Sequence, residues 1–230
     1  MYKPMLAILI ALAGANAFAA SLINNGSFET TSPSVAVGSF VNFLPGSTGI
    51  TGWTVVGAAG TEASVVNTTY TSECCTFPAE DASNWLDLTG DATNSDTEGV
   101  AQTVTTIAGD AYTLSFYVGN VFDPRGIYGT TSTTDVSENG TSLGAFENNC
   151  TTCTTRLTWQ LFTTTFTATA ASTTLQFLNG DPGTDNANGL DNISLVDDGP
   201  ATSAAPEPGS LLLLGSGLLS LAGFARRRMA

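Results

Sequence analysis

Four cysteines stand in two tight clusters, Cys74-Cys75 and Cys150-x-x-Cys153. In an exported chain their default chemistry is oxidation to disulfides. Adjacent cysteines rarely bond to each other, because the eight-membered ring is strained. The spacing therefore predicts cross-pairing, Cys74 with Cys150 and Cys75 with Cys153, or the reverse. A four-cysteine zinc site has the right sulfur count but suits neither the compartment nor the spacing. The CxxC also lacks the βαβ context of a thioredoxin-like redox motif. The chain has no histidine, which removes Ser-His-Asp and Cys-His catalysis, His-ligated zinc and imidazole pH switches. Two carboxylates alone can hydrolyse a glycoside, but no Asp/Glu pair stands in a distinctive context, so the expectation is a non-enzyme. What remains is recognition. In Trp85-Leu86-Asp87-Leu88 the alternation puts Trp85 and Asp87 on the face opposite the two leucines. Tyr117 takes the corresponding side of its own strand, with Asn120 just beyond. An aromatic plate beside a carboxylate and an amide offers what sugar binding needs: stacking against a ring face and hydrogen bonds to hydroxyls. These four residues form the expected ligand face.

The elements that carry them are strands. Charged residues make up only 11% of the chain, and 36 Thr with 20 Ser supply most of the polarity. Threonine is β-branched and favours strands with wet, uncharged faces. Tyr112, Leu114, Phe116 and Val118 alternate with Thr113, Ser115, Tyr117 and Gly119. Phe162, Phe166 and Ala168 share one face, with Trp159, Thr163, Thr165 and Thr167 on the other. Leu175 and Phe177 repeat the pattern, as do Leu190, Ile193 and Leu195. Shorter strands are expected near Ile23–Phe28, Trp53–Val56, Ser64–Val66, Trp85–Leu88 and Val100–Thr105. Asn139-Gly140 between Val136 and Leu143 marks a hairpin. Asp181, Asp185, Asn186 and Asn188 read as a solvated loop. Helical periodicity is nearly absent, and the strand spacing favours an antiparallel β-sandwich over a barrel.

Both ends read as addresses. Residues 1–20 have the form of a secretory signal peptide: Lys3, an apolar run from Met5 to Ala13, and the small-x-small site Ala17-Phe18-Ala19. One domain is expected over residues 21–198 and a linker over 199–205. Then come Pro206-Glu207-Pro208, an uncharged Leu- and Gly-rich stretch over 209–225 at the lower limit of a transmembrane helix, and Arg226-Arg227-Arg228. The arginines would hold the distal end in the cytoplasm. From Ser21 to Pro208 the chain carries two basic residues, Arg125 and Arg156, against all twenty acidic ones. A surface of that sign repels nucleic acid and attracts cations, so DNA and RNA are excluded as partners. The tripeptide, apolar segment and arginine cluster at 206–230 resemble the PEP-CTERM sorting signal of Gram-negative bacteria, some of whose members carry an ice-binding protein C-terminal domain label. The resemblance implies processing by an exosortase near Pro206–Pro208, a transient inner-membrane stage, and a host that secretes exopolysaccharide and forms biofilm.

A second resemblance runs through the domain. Asn25-Gly26-Ser27-Phe28-Glu29, Gly52-Trp53-Thr54-Val55, Trp85-Leu86-Asp87-Leu88, Gly99-Val100-Ala101-Gln102-Thr103, Tyr112-Thr113-Leu114-Ser115-Phe116, Phe166-Thr167-Ala168-Thr169 and Leu190-Asp191-Asn192-Ile193-Ser194-Leu195 follow one another in an order similar to DUF642 and choice-of-anchor domains. These are galactose-binding-like jelly rolls akin to carbohydrate-binding modules. In such jelly rolls a structural calcium often ties the first strand to the last. The resemblance implies Glu29 and Asp191 as its carboxylate ligands, with backbone carbonyls completing an oxygen shell. The expected function is thus a surface or extracellular module that binds polysaccharide without catalysis. A matrix protein with no small-ligand site is the alternative.

Overall fold

The computed structural model describes residues 20–91, 98–124, 126–183 and 187–201. The signal peptide, the helix expected over 209–225 and the residues Pro206–Pro208 and Arg226–Arg228 lie outside this set, as do Asp185 and Asn186. Among the described residues there are thirteen strands: β1 (Phe40–Phe43), β2 (Thr54–Val56), β3 (Ala63–Asn67), β4 (Thr71–Ser72), β5 (Cys75–Thr76), β6 (Asn84–Asp87), β7 (Gly99–Thr105), β8 (Asp110–Asn120), β9 (Ser132–Glu138), β10 (Thr141–Asn148), β11 (Thr158–Thr167), β12 (Ser172–Asn179) and β13 (Gly189–Pro200). A six-stranded sheet runs β1-β3-β6-β13-β8-β11 and a five-stranded sheet β10-β9-β12-β7-β2, all neighbours antiparallel. This is the all-β antiparallel sandwich that the strand pattern implies, and the jelly roll that the family resemblance implies.

The two sheets meet through the apolar faces read from the sequence. Leu114, Phe116, Leu86, Leu88, Leu190 and Leu195 of the six-stranded sheet oppose Val55, Val100, Leu175 and Phe177 of the other. Phe116 sits at the centre, edge-on to Phe177 at 5.4 Å and to Phe146 at 5.1 Å. Trp53 belongs to this core and donates its indole N–H to the Asn25 carbonyl. The β9–β10 hairpin turns at Asn139-Gly140, both left-handed at φ 46° and 79° as a type I′ turn requires.

Three segments differ from expectation. Ile23–Phe28 is not a strand: Asn25 and Phe28 adopt φ 56° and 57°, and the chain loops to bury Phe28 against Trp53. Gly26 is pressed onto the Ile193 carbonyl, which a β-carbon would meet at 2.1 Å, so the tight approach demands glycine. β13 continues to Pro200, opposite Asp110, and absorbs the first residues assigned to the linker. The two described members of the Asp/Asn stretch are not solvated: Asp181 and Asn188 are buried, Asp181 accepting the Thr133 amide and Asn188 donating to the Asn179 side chain.

The disulfide pairing also corrects the expectation. Cys74 bonds Cys75, and Cys150 bonds Cys153. Cys74 and Cys75 lie at the turn of the β4–β5 hairpin, where Glu73 is left-handed. The two clusters are neighbours, as read, but backbone hydrogen bonds lace them together: Thr76 N to the Thr155 carbonyl at 3.1 Å and Leu157 N to the Thr76 carbonyl at 2.9 Å. With the segments already joined in this way, each disulfide closes a local loop.

Candidate functional site

The outer face of the six-stranded sheet is where the expected ligand residues fall, and its register explains their fates. Phe40 pairs with Val66 and Val66 with Trp85, while Asp191 pairs with Tyr117 one step beyond Leu86–Leu190. Next to this row, Asn42, Ser64, Asp87, Gly189, Gly119 and Trp159 stand side by side across the same strands. Side chains in one row point the same way, so Trp85, Asp87 and Tyr117 share the outer face as expected. Asn120 does not. It follows Phe116 and Val118 inward, fully buried, and accepts from the Ser132 hydroxyl while donating to the Thr130 carbonyl. It leaves the ligand face.

That outer face is roofed. The β4–β5 hairpin and the loop carrying Val121 and Tyr128 fold over it and build a second apolar cluster from Val66, Phe77, Trp85, Tyr128 and Leu157. Trp85 is only 1% exposed. Its ring stacks on Phe77 at 6.2 Å and meets Trp159 edge-on at 5.9 Å, and its indole N–H donates to the Phe77 carbonyl. Trp159 lies over the backbone of the paired glycines Gly119 and Gly189, either of whose β-carbons would come within 2.8 Å of its ring. It therefore separates Tyr117 from the Trp85 side of the sheet.

Beneath the roof a cavity of about 370 Å³ remains between the hairpin, the outer face of β3 and β6, and the Tyr128 loop. Phe40, Tyr70, Phe77, Trp85 and Tyr128 give it aromatic walls; Asp87 and Asp91 give it carboxylates. Asp87 is held firmly. Its Oδ1 accepts from the Thr89 amide at 3.1 Å, the Thr89 hydroxyl at 2.8 Å and the Asn188 amide at 3.2 Å. Glu62 fixes the other carboxylate by accepting the Asp91 amide at 3.0 Å. Burial pushes the Asp87 carboxyl up from 3.8 to about 7 against the pull of these donors, and the nearby Asp91 charge adds to the rise. Of these lining residues, sequence reasoning singles out Trp85 and Asp87, with Tyr128 as a loop residue that could contribute; Phe40, Tyr70, Phe77 and Asp91 carry no such signal, because they come from a short edge strand, the flanks of a hairpin of two-residue strands, and the turn after β6.

Glu29 and Asp191 are brought to one place, but for a different task. Asp191, wholly buried, accepts the backbone amides of Glu80 (2.8 Å), Asp81 (3.1 Å) and Asn192 (2.7 Å). Glu29 accepts those of Ser83 (2.8 Å) and Asn84 (2.7 Å) through one oxygen. One carboxylate from near the start of the domain and one from β13 thus grip consecutive halves of the segment leading into β6. The donor chemistry suits a hard cation, since both groups are oxygen ligands of negative charge. The arrangement does not: both Asp191 oxygens and one Glu29 oxygen accept amides, and among the described residues no three acidic, cysteine or histidine side chains group to hold a metal. As placed, the pair is a clamp on backbone rather than a calcium cage. Tyr117 stands beside it, where the Glu80 carboxylate raises its phenol.

Burial raises Asp191 to about 8, and the Glu80 charge contributes. In the unfolded chain both Asp87 and Asp191 lose their protons near the ordinary 3.8, whereas the folded protein keeps them to about 7 and about 8. Between those limits the folded state binds more protons, so stability falls as pH rises from about 4 to about 8 and is level above. Thermal unfolding followed at pH 5 and pH 8.5 is expected to show a loss of a few kcal/mol, on the order set by linkage. Equal stability at both values would contradict it.

The comparisons with known proteins follow the same division of the chain. Residues 204–228 match the PEP-CTERM protein-sorting motif, a signal for export to the cell envelope and processing by an exosortase. No curated protein matches the chain. Among solved structures, the Stig cyclase Fisc from Fischerella sp. TAU, crystallised with an indole derivative, aligns at TM-score 0.53 and 19% identity, covering 80% of this chain and 100% of its own. It shares the fold. The CBM22-1 xylan-binding domain from Paenibacillus barcinonensis Xyn10C aligns at 0.42 and 16%, covering 74% and 100%. A family 35 carbohydrate binding module from an environmental isolate aligns at 0.37 and 13%, covering 66% and 98%. The model of DUF642, a protein family of unknown function, matches residues 21–195, the whole sandwich up to the middle of β13. The chain belongs to the DUF642 family.

Proposed function

We propose that this DUF642 domain is a noncatalytic carbohydrate-binding module, sorted to the cell surface, that attaches to polysaccharide of the surrounding matrix. The observation that carries the reading is the roofed cavity: five aromatic rings around a carboxylate whose Oδ2 accepts none of the described hydrogen bonds. Aromatic faces provide stacking for the apolar side of a sugar ring, and the free oxygen accepts from a hydroxyl. The volume is at the small end of ligand sites, which suits the end of a glycan chain or a short branch rather than a stretched polymer laid along a face. Exosortase processing near Pro206–Pro208 supplies the route to the surface.

The test is a glycan array probed with the full-length chain in mild detergent, beside Asp87→Ala. Selective binding that the variant loses, while it still melts cooperatively, supports the reading. A cooperative wild-type protein that binds nothing would assign the domain to a purely structural place in the matrix. The same glycans incubated with the protein are expected to release no reducing ends. Sustained release abolished by Asp87→Ala would make Asp87 an acid catalyst and the reading wrong.

A further inference from the structure

The same cavity carries a statement about ligand class. Asp87 is 8% exposed and lines the cavity, with three donors on Oδ1 and none of the described hydrogen bonds on Oδ2. It has no cationic partner among the described residues. The domain has only two arginines to offer: Arg156 lies in a separate cavity with Cys150 and Cys153, and Arg125 is outside the described residues. Asp91 places a second carboxylate on the wall. An ionised carboxylate buried in this way is costly, and the cost is met either by keeping the proton or by pairing with a cation. The rings that line the cavity with it also pack on one another. Phe77 and Trp85 stack, Tyr128 stands edge-on to Phe77 at 5.1 Å, and Tyr70 packs beside Phe77 at 5.8 Å. An aromatic enclosure closed by a carboxylate attracts ammonium through the ring quadrupoles and the charge together.

We propose that this pocket receives an organic ammonium group and that, resting on the carbohydrate reading above, its ligand is an amino sugar whose nitrogen is free and protonated. Acetylation of that nitrogen removes the charge and adds bulk. A uronic acid would set a third carboxylate against Asp87 and Asp91. A neutral hexose satisfies Oδ2 with a hydroxyl but gives the ionised form no counter-charge. The held-up Asp87 carboxyl is consistent with a group waiting for its counter-ion, because an ammonium at that oxygen favours the ionised form.

Calorimetric titration of the full-length chain with a glucosamine tetramer, its N-acetylated counterpart and a glucose tetramer of the same linkage tests this. The expected result is a preference for the free amine of about tenfold or more. Asp87→Asn is expected to erase the preference while retaining an acceptor at Oδ1. Tyr128→Leu, which leaves both carboxylates in place, is expected to weaken the amine and the neutral sugars together. Equal affinity for amine and neutral tetramers, or a preference that survives Asp87→Asn, overturns the ammonium pocket and leaves the carbohydrate reading standing. Binding of tetramethylammonium with no glycan bound would keep the pocket's ammonium class and overturn the carbohydrate reading. Binding of neither overturns both.

Discussion

Replacing Trp85 by alanine is expected to destabilise the domain by about 3–5 kcal/mol, the range for emptying a fully buried indole site. For a domain of this size that corresponds to a fall of roughly 10 °C in melting temperature. The loss has two parts. The ring fills the floor of the second apolar cluster, between Phe77 and Trp159. Its N–H also satisfies the Phe77 carbonyl. Trp85→Phe keeps most of the packing and loses the donor, so it is expected to cost only about 1–2 kcal/mol. Chemical unfolding of the three proteins checks this. A Trp85→Ala variant as stable as the parent would mean that the roof is not packed on β6.

The second large effect belongs to the clamp. Asp191→Ala leaves the amides of Glu80, Asp81 and Asn192 without their acceptor, each a loss of about 1 kcal/mol or more when buried. Asp191 holds its proton up to about 8, so at pH 6 what offsets part of this is the relief of a buried polar carboxyl, not of a charge. A net loss of about 2–4 kcal/mol at pH 6 is expected by that reckoning, together with a shallower fall of stability between pH 5 and pH 8.5. Asp191→Asn restores one acceptor and is expected to recover part of the loss. Because amides already occupy both oxygens of Asp191 and one of Glu29, a chelator is expected to leave the melting temperature of the parent protein unchanged. A drop on chelation would return calcium to Glu29 and Asp191.

The long strands were legible in the sequence because period-two alternation reports which side chains share a face. Tyr112 to Val118 and Thr173 to Phe177 fall as that rule says. Alternation cannot say what lies above a face. Trp85 and Asp87 were correctly set opposite Leu86 and Leu88, but the cover over them comes from two-residue strands and a loop that carry no period. β1 was missed for the same reason, being four residues long with mixed burial. Asn120 failed by parity: it is two residues beyond Val118 and so must point inward, whatever its polarity. The cysteines failed because pairing depends on which sulfurs a turn brings together. Glu29 and Asp191 were singled out by a resemblance, and the structure gives them backbone amides to hold, a partner that leaves no trace in side-chain sequence.

β13 is the last of the described strands to emerge when the chain is made, yet it lies between β6 and β8 in the middle of the six-stranded sheet. Before it arrives, β6 and β8 are two unpaired edges, and the loop ahead of β6 has no Asp191 to close on. Native contacts here join residues more than a hundred positions apart, as from Glu80 to Asp191, a non-local pattern that favours slow folding. A polypeptide threaded across a membrane from its N-terminus must stay loose until it has passed. Any proteolytic trimming of the tail must then spare residues up to Pro200, because a cut before Gly189 leaves two half-sheets with nothing between them.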